Sequence, residues 1–111
     1  MTAIRAARKA LERAIAAGQP GIEHDIAYHA AIAQASHNRF YMLTLAALAE
    51  QTRYSVQLIR ELSDRPVQQH TLHVRAEHAA IERAIAARDA QAAAEAMKSH
   101  LRGGIQRLFG T

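Results

Sequence analysis

The sequence predicts an all-α fold, an antiparallel helical bundle of about five helices. Alanine is abundant, whereas the 111 residues include only two prolines, five glycines and five aromatic residues. Such a composition is typical of closely packed helices. Apolar residues recur every three or four positions, and no segment shows the alternation that indicates a strand. The length suits one domain, residues 1–111, with a single core.

The first two predicted helices are separated by a clear turn. The first runs from about Thr2 to Ala17 and stops at the Gly-Gln-Pro-Gly segment 18–21. The second begins near Ile22 and ends around residues 36–38, where Asn38 can cap the next helix. Their apolar stripes consist of Ile4, Ala7, Leu11 and Ile15 in the first helix, and of Ile26, His29 and Ala33, flanked by Tyr28 and Ile32, in the second.

Three further helices complete the prediction. A long apolar run from Arg39 to Leu62 predicts a central helix that is buried on much of its circumference. Pro66 suits the first turn of a fourth helix that reaches about Ala87. Asp89 is then the expected N-cap of a last helix that ends near Leu108, with a weak point at residues 103–104, both glycine.

Composition and charge exclude several classes of function. The chain has no cysteine, so any metal must be bound by histidine, carboxylate or water, and zinc fingers are excluded. The formal charge is +4, but the basic residues form no block, which argues against direct DNA binding by this segment. No apolar run approaches the roughly 18 residues of a membrane span. We therefore expect a cytoplasmic protein without a membrane partner.

Seven histidines are a high count for this length, and helical position separates them. His78 lies on the apolar stripe formed with Val74, Ile81 and Ile85. His100 is expected to face inward from the last helix, beside Leu101. His24, His37, His70 and His73 are interpreted as surface or loop residues.

Four polar side chains are expected to point inward from three helices. Asp25 precedes His29 by four residues, which places carboxylate and imidazole on one helical face. Burying such groups without partners costs about 1–3 kcal/mol each, and joint metal binding removes that cost. The predicted ligands are Asp25, His29, His78 and His100, a set suited to a divalent transition metal, zinc first, with nickel, manganese or iron as alternatives. The other interpretation is that each histidine is only hydrogen-bonded in the core.

Two segments carry a resemblance to a known family. They are DIAYHAAIAQASHN, residues 25–38, and AEHAAIERAIAARDAQAAAEAMKSHL, residues 76–101. In order and spacing they resemble the FadR-type C-terminal (FCD) domain of GntR-family transcriptional regulators. The resemblance extends from about Ile4 to Leu108. It departs from the family at Tyr28, where phenylalanine is usual, and at Arg88, where glycine often precedes the aspartate and only the turn should be affected.

The resemblance implies a function and a site. It assigns Asp25, His29, His78 and His100 as metal ligands in a pocket that binds a small organic-acid effector, and it implies a homodimer. By this resemblance the family's N-terminal winged helix-turn-helix and most of the first sensor-domain helix are expected to be missing from the 111 residues. A fragment, a truncated gene product and a partner-dependent domain are the alternatives. The chain is therefore expected to be the effector-binding and dimerisation part, which reaches DNA only through a separate domain.

An anionic effector needs cationic or polar partners. Arg53 and Arg60 are seven residues apart and share one helical face, so they are the predicted effector-binding cations, with Asn38 as a further contact. In the alternative interpretation the two arginines neutralise Glu50 or Asp64 on a solvated face, and Asn38 is only a helix cap.

Two other functions compete with the sensor. A metal-dependent helical-bundle enzyme would need a general base, and Glu77 points about 100° away from its neighbour His78 on the helix. The paired Glu-x-x-His motifs of di-metal sites are also absent from the sequence. A purely structural dimerisation module would hold no metal. The sequence thus favours a sensor over an enzyme.

Overall fold

The computed structural model of the chain describes residues 1–19, 21–62 and 67–109, except for the side chains of residues 56, 59, 60, 67–71, 108 and 109. The described residues form helices and their connections, with no strand among them, which confirms the all-helical prediction. The helices are α1 (Thr2–Ala16), α2 (Ile22–Ala35), α3 (Arg39–Ala47), α4 (Ala49–Leu62), α5 (Val67–Ala86) and α6 (Ala90–Phe109).

The chain divides into two compact units, Met1–Gln57 and Leu58–Thr111. In the first unit α1 packs against α2, and α2 contacts α3. In the second unit α5 packs against α6. Each packed pair is a helical hairpin with a short connection. The candidate site residues lie on these two hairpins and on α4, except for Asn38 at the start of α3.

The first hairpin buries one face of each helix. The buried residues are Ile4, Leu11 and Ala14 on α1 and Tyr28, Ile32 and Ala33 on α2. The predicted stripe of α1 is therefore correct at Ile4 and Leu11. On α2 the flanking residues Tyr28 and Ile32 are buried more deeply than Ile26.

A buried glycine makes the turn of this hairpin possible. Gly21 has a positive φ of 76° and is the N-cap of α2. A Cβ at this position would lie 3.0 Å from the Cδ1 atom of Leu11. Residue 21 therefore combines a left-handed backbone with a close approach to α1, and glycine meets both requirements.

The second hairpin has the predicted apolar stripe. Ile81 and His78 are buried on α5, and Val74 and Ile85 are half-buried. The helix α6 continues through both glycines to Phe109, so the predicted weak point does not interrupt it.

The turn of the second hairpin has an arginine at a left-handed position where glycine is usual. Arg88 adopts a positive φ of 57°. The amide of Arg88 donates to the Ile85 carbonyl at 2.9 Å, and the amide of Asp89 donates to the Ala84 carbonyl at 3.1 Å, which is the Schellman pattern. The Asp89 side chain then accepts from the Ala92 amide at 3.0 Å, which confirms the predicted N-cap.

The predicted central helix is wrong in two respects. It is divided at Leu48, whose φ and ψ of −97° and 10° leave the helical region, into α3 and α4. It is also not buried on much of its circumference, because Leu43, Leu48 and Tyr54 are 55%, 48% and 67% exposed. The physical reason is that α3 contacts α2 on one side, which leaves most of its apolar side chains uncovered.

Two smaller points complete the fold. Pro66, the expected first-turn residue of the fourth helix, lies outside the described residues. Among the described helices, none combines the length and the apolar character needed to cross a lipid bilayer.

Candidate functional site

Two imidazoles meet in the core of the second hairpin. His78 on α5 is 2% exposed and His100 on α6 is 8% exposed, which confirms that both face inward. Their ring centroids are 4.7 Å apart and the rings are nearly perpendicular, at 72°. Because metal–imidazole bonds are about 2 Å long, two rings at this separation can each direct one nitrogen at a single ion.

A carboxylate on α5 also contacts the His100 ring. The Oε1 atom of Glu77 lies 2.7 Å from Nδ1 of His100. An ionised carboxylate can only accept, so Nδ1 donates in this hydrogen bond. The contact leaves Nε2 as the ring nitrogen of His100 that can bind a metal.

Arg107 forms a bidentate ion pair with the same carboxylate. Its Nη1 donates to Oε2 of Glu77 and its Nη2 donates to Oε1, both at 2.9 Å. Arg107 is itself buried, and its Nε atom has no acceptor among the described residues. Such planar, charge-assisted pairs fix orientation as well as charge.

The pKa of the Glu77 carboxyl group reflects opposing influences. Partial burial is the largest single one and raises the pKa, but the hydrogen bonds from Arg107 and His100 and the Arg107 charge together outweigh it. The net result is a pKa below the ordinary value. Glu77 is therefore a carboxylate at neutral pH.

A glycine on α6 provides the space for this carboxylate. A Cβ at residue 103 would lie 2.6 Å from Oε2 of Glu77 and 3.1 Å from Nη1 of Arg107. The first of these distances is too short for any ordinary contact. Gly103 thus leaves room for the Glu77 carboxylate on the surface of α6. His100 lies three residues before Gly103 and Arg107 lies four residues after it, so both share this face with the glycine.

The first hairpin contributes the other predicted ligands. Nε2 of His29 lies 3.8 Å from Oδ1 of Asp25, one helical turn away on α2. The side chains are 14% and 17% exposed, so carboxylate and imidazole share a mostly buried face as the sequence predicts. The distance is too long for a hydrogen bond.

The predicted histidine ligands are all among the described residues. His29 offers a ring nitrogen on the first hairpin, and His78 and His100 each offer one on the second. Of the histidines interpreted as surface residues, His37 and His73 are exposed and His24 is half-buried. The side chain of His70 lies outside the described part of the structure.

The predicted effector-binding residues have structural partners of their own. Arg53 forms ion pairs with Glu23 and Glu50, and its hydrogen bond lowers the pKa of Glu23. The pairing with Glu50 matches the alternative interpretation. Asn38 accepts a hydrogen bond from the Tyr41 amide at 3.1 Å and so caps α3. Arg60 lies on α4, and its side chain is not among those described.

Sequence reasoning missed two members of the site. Helical periodicity shows only that Glu77 points away from its neighbour His78 and is a poor general base, whereas its partner is His100 on the next helix. Arg107, the second such residue, is the partner of this carboxylate. A signal existed in the sequence, because His100, Gly103 and Arg107 follow one another at spacings of three and four and therefore share one face of α6.

Comparison with known proteins gives one family. A family model described as the FCD domain matches residues 1–103, most of the chain. This is the C-terminal domain of GntR-family regulators. No curated protein matches the chain.

Proposed function

The chain belongs to the FCD family, whose members are ligand-sensing regulatory domains rather than enzymes, and we propose that it senses a small organic acid through a bound divalent metal. The observation that carries the proposal is the buried pair of imidazoles, His78 and His100, with centroids 4.7 Å apart. Histidine is the commonest metal ligand among side chains, and two imidazoles that meet in a helical core can bind one ion.

The proposed ligands are His29, His78 and His100, with Asp25 as a fourth. Three imidazole nitrogens and one carboxylate oxygen suit zinc first, while nickel, manganese and iron are compatible with the same donors. The chain has no cysteine that could compete as a ligand. The bound metal would supply a positive charge and exchangeable coordination positions for a carboxylate.

The effector is proposed to bind through its carboxylate at or near the metal. Arg53, Arg60 and Asn38 remain the proposed polar contacts around it. An acid that engages Arg53 must compete with Glu23 and Glu50, which already hold the guanidinium. Direct binding to the metal needs no such exchange, which makes the metal the principal anchor of the effector.

Regulation would follow from a shift between two arrangements of the helices. An effector that binds one arrangement more tightly increases its population. In a homodimer, such a shift changes the spacing of two DNA-binding domains attached to the sensors. We propose that this domain works in the cytoplasm and contacts DNA only through such an attached domain.

The proposal is tested by elemental analysis of protein purified without a histidine tag. The variant is His78→Ala, and the control is His73→Ala, the same change at an exposed position of the same helix. We expect about one metal per chain in the wild type and in the control, and a loss of the metal in His78→Ala. Circular dichroism checks that each variant remains helical.

A thermal-melting series then tests the effector. Small carboxylates such as citrate, malate and acetate should raise the Tm of the metal-loaded wild type, because a ligand that binds only the folded state stabilises it. His78→Ala together with His100→Ala should abolish the shift. A shift that survives both changes would contradict the metal-centred mechanism, and absence of metal from the wild type would favour a purely structural module.

A further inference from the structure

The hydrogen bond between Glu77 and His100 constrains the tautomer of an imidazole. A neutral imidazole carries its proton on one nitrogen and presents a lone pair on the other. Glu77 places Oε1 2.7 Å from Nδ1 of His100. A carboxylate at Nδ1 favours the tautomer with the proton on that atom, so the lone pair lies on Nε2.

The surroundings of Glu77 show that its position is fixed from several sides. Both carboxylate oxygens accept from the guanidinium of Arg107 at 2.9 Å. Gly103 leaves the space in which Oε2 sits, since a Cβ there would lie 2.6 Å away. A carboxylate that only neutralised an arginine at the surface would not need a buried partner such as Arg107. It would also not need the space that the absence of a Cβ at residue 103 leaves.

We propose that Glu77 is a positioning residue that holds the His100 ring with Nδ1 protonated and Nε2 directed to the metal, and that Arg107 holds Glu77. This inference rests on the proposed metal function. Partners of this kind orient ligand histidines and strengthen metal binding, and their loss typically weakens affinity by about 10–100-fold. Glu77 itself does not bind the metal.

The first test reads the ring directly in metal-free protein. Two-dimensional ¹⁵N NMR of the labelled protein should show Nδ1 of His100 protonated and Nε2 carrying the lone pair. In Glu77→Gln the amide can donate as well as accept, so the other tautomer should become populated. A wild-type ring protonated on Nε2 would overturn the proposal.

The second test measures zinc affinity by competition with a chelator. Glu77→Gln and Arg107→Met should weaken zinc binding by about 10–100-fold. The matched controls are Glu95→Gln and Arg102→Met, the same changes at exposed positions of α6, and they should leave the affinity unchanged. Equal affinity in Glu77→Gln and wild type would overturn the positioning role.

The two tests separate this inference from the function on which it rests. If the wild type binds zinc and Glu77→Gln binds it equally well, only the role of Glu77 fails. If the wild type binds no metal while the ring is protonated on Nδ1, the proposed metal function fails, and Glu77 acts only to fix a core histidine.

Discussion

At Glu77, burial and hydrogen bonding act on one carboxyl group in opposite directions. Burial disfavours the charge, whereas Arg107 and His100 stabilise it, and the pKa falls below its ordinary value of 4.5. A group whose pKa is lower in the folded state stabilises the fold in its ionised form. Its contribution is therefore present above the pKa of the unfolded chain and is lost as pH falls through the folded value.

The difference in free energy of unfolding between wild type and Glu77→Gln should consequently depend on pH. We expect the wild type to be more stable by about 1–2 kcal/mol at neutral pH, a value discounted for the partial exposure of Glu77. The difference should shrink as pH falls below about 4.5. Urea unfolding of metal-free protein between pH 7 and pH 3 measures it, and a difference that stays constant would contradict this account.

The burial of a residue could be predicted from the sequence where it depends on the periodicity of a single helix. The stripe of His78 with Ile81 follows from helical periodicity, and both residues are buried. The partner of Glu77 could not be predicted in the same way, because the contact joins α5 to α6. Its geometry depends on how the two helices are aligned, which periodicity within one helix does not determine.

The boundaries of the helices follow local chemistry where a side chain supplies a cap. Asn38 and Asp89 each accept from a backbone amide three residues later, and both were predicted as caps. The break at Leu48 has no such marker, since alanine, leucine and glutamate surround it and all favour helix. That break could not be predicted from propensity.

The contribution of Asn38 to stability as a helix cap can be tested by substitution, independently of its proposed contact with the effector. Asn38→Ala should lower the free energy of unfolding by about 1 kcal/mol, because the Tyr41 amide loses its acceptor. Asn38→Asp keeps an acceptor oxygen and should retain the stability. Chemical denaturation measures both variants, and equal stability of wild type and Asn38→Ala would show that the cap contributes little.

At the scale of the whole molecule, the proposed ligands are divided between the two units. Asp25 and His29 belong to the first unit, and His78 and His100 belong to the second. The all-helical class and most helix boundaries were predictable from composition and periodicity, whereas the division into units was not. That division depends on contacts between residues distant in sequence, and these contacts cannot be predicted from the periodicity of a single sequence.

If the four proposed ligands bind one metal, zinc should stabilise the helices that carry them. Hydrogen exchange of the metal-free and zinc-loaded protein should therefore show slower exchange on α2 as well as on α5 and α6, because zinc binds the folded state of each. The Glu95→Gln protein should give the same pattern as the wild type. Protection confined to α5 and α6 would indicate a site built by the second unit alone.

Glycine in the middle of a helix is the position that a stability-engineering programme would replace first. Alanine at residue 103 would improve helix propensity by about 0.5–1 kcal/mol. Its methyl group would also occupy the space of the Glu77 carboxylate, 2.6 Å from Oε2. The gain in helix propensity would then be offset by the loss of the Glu77 ion pairs, which contribute about 1–2 kcal/mol at neutral pH. A routine exchange of helical glycine for alanine would therefore fail to raise the Tm at this position and would weaken metal binding at the same time.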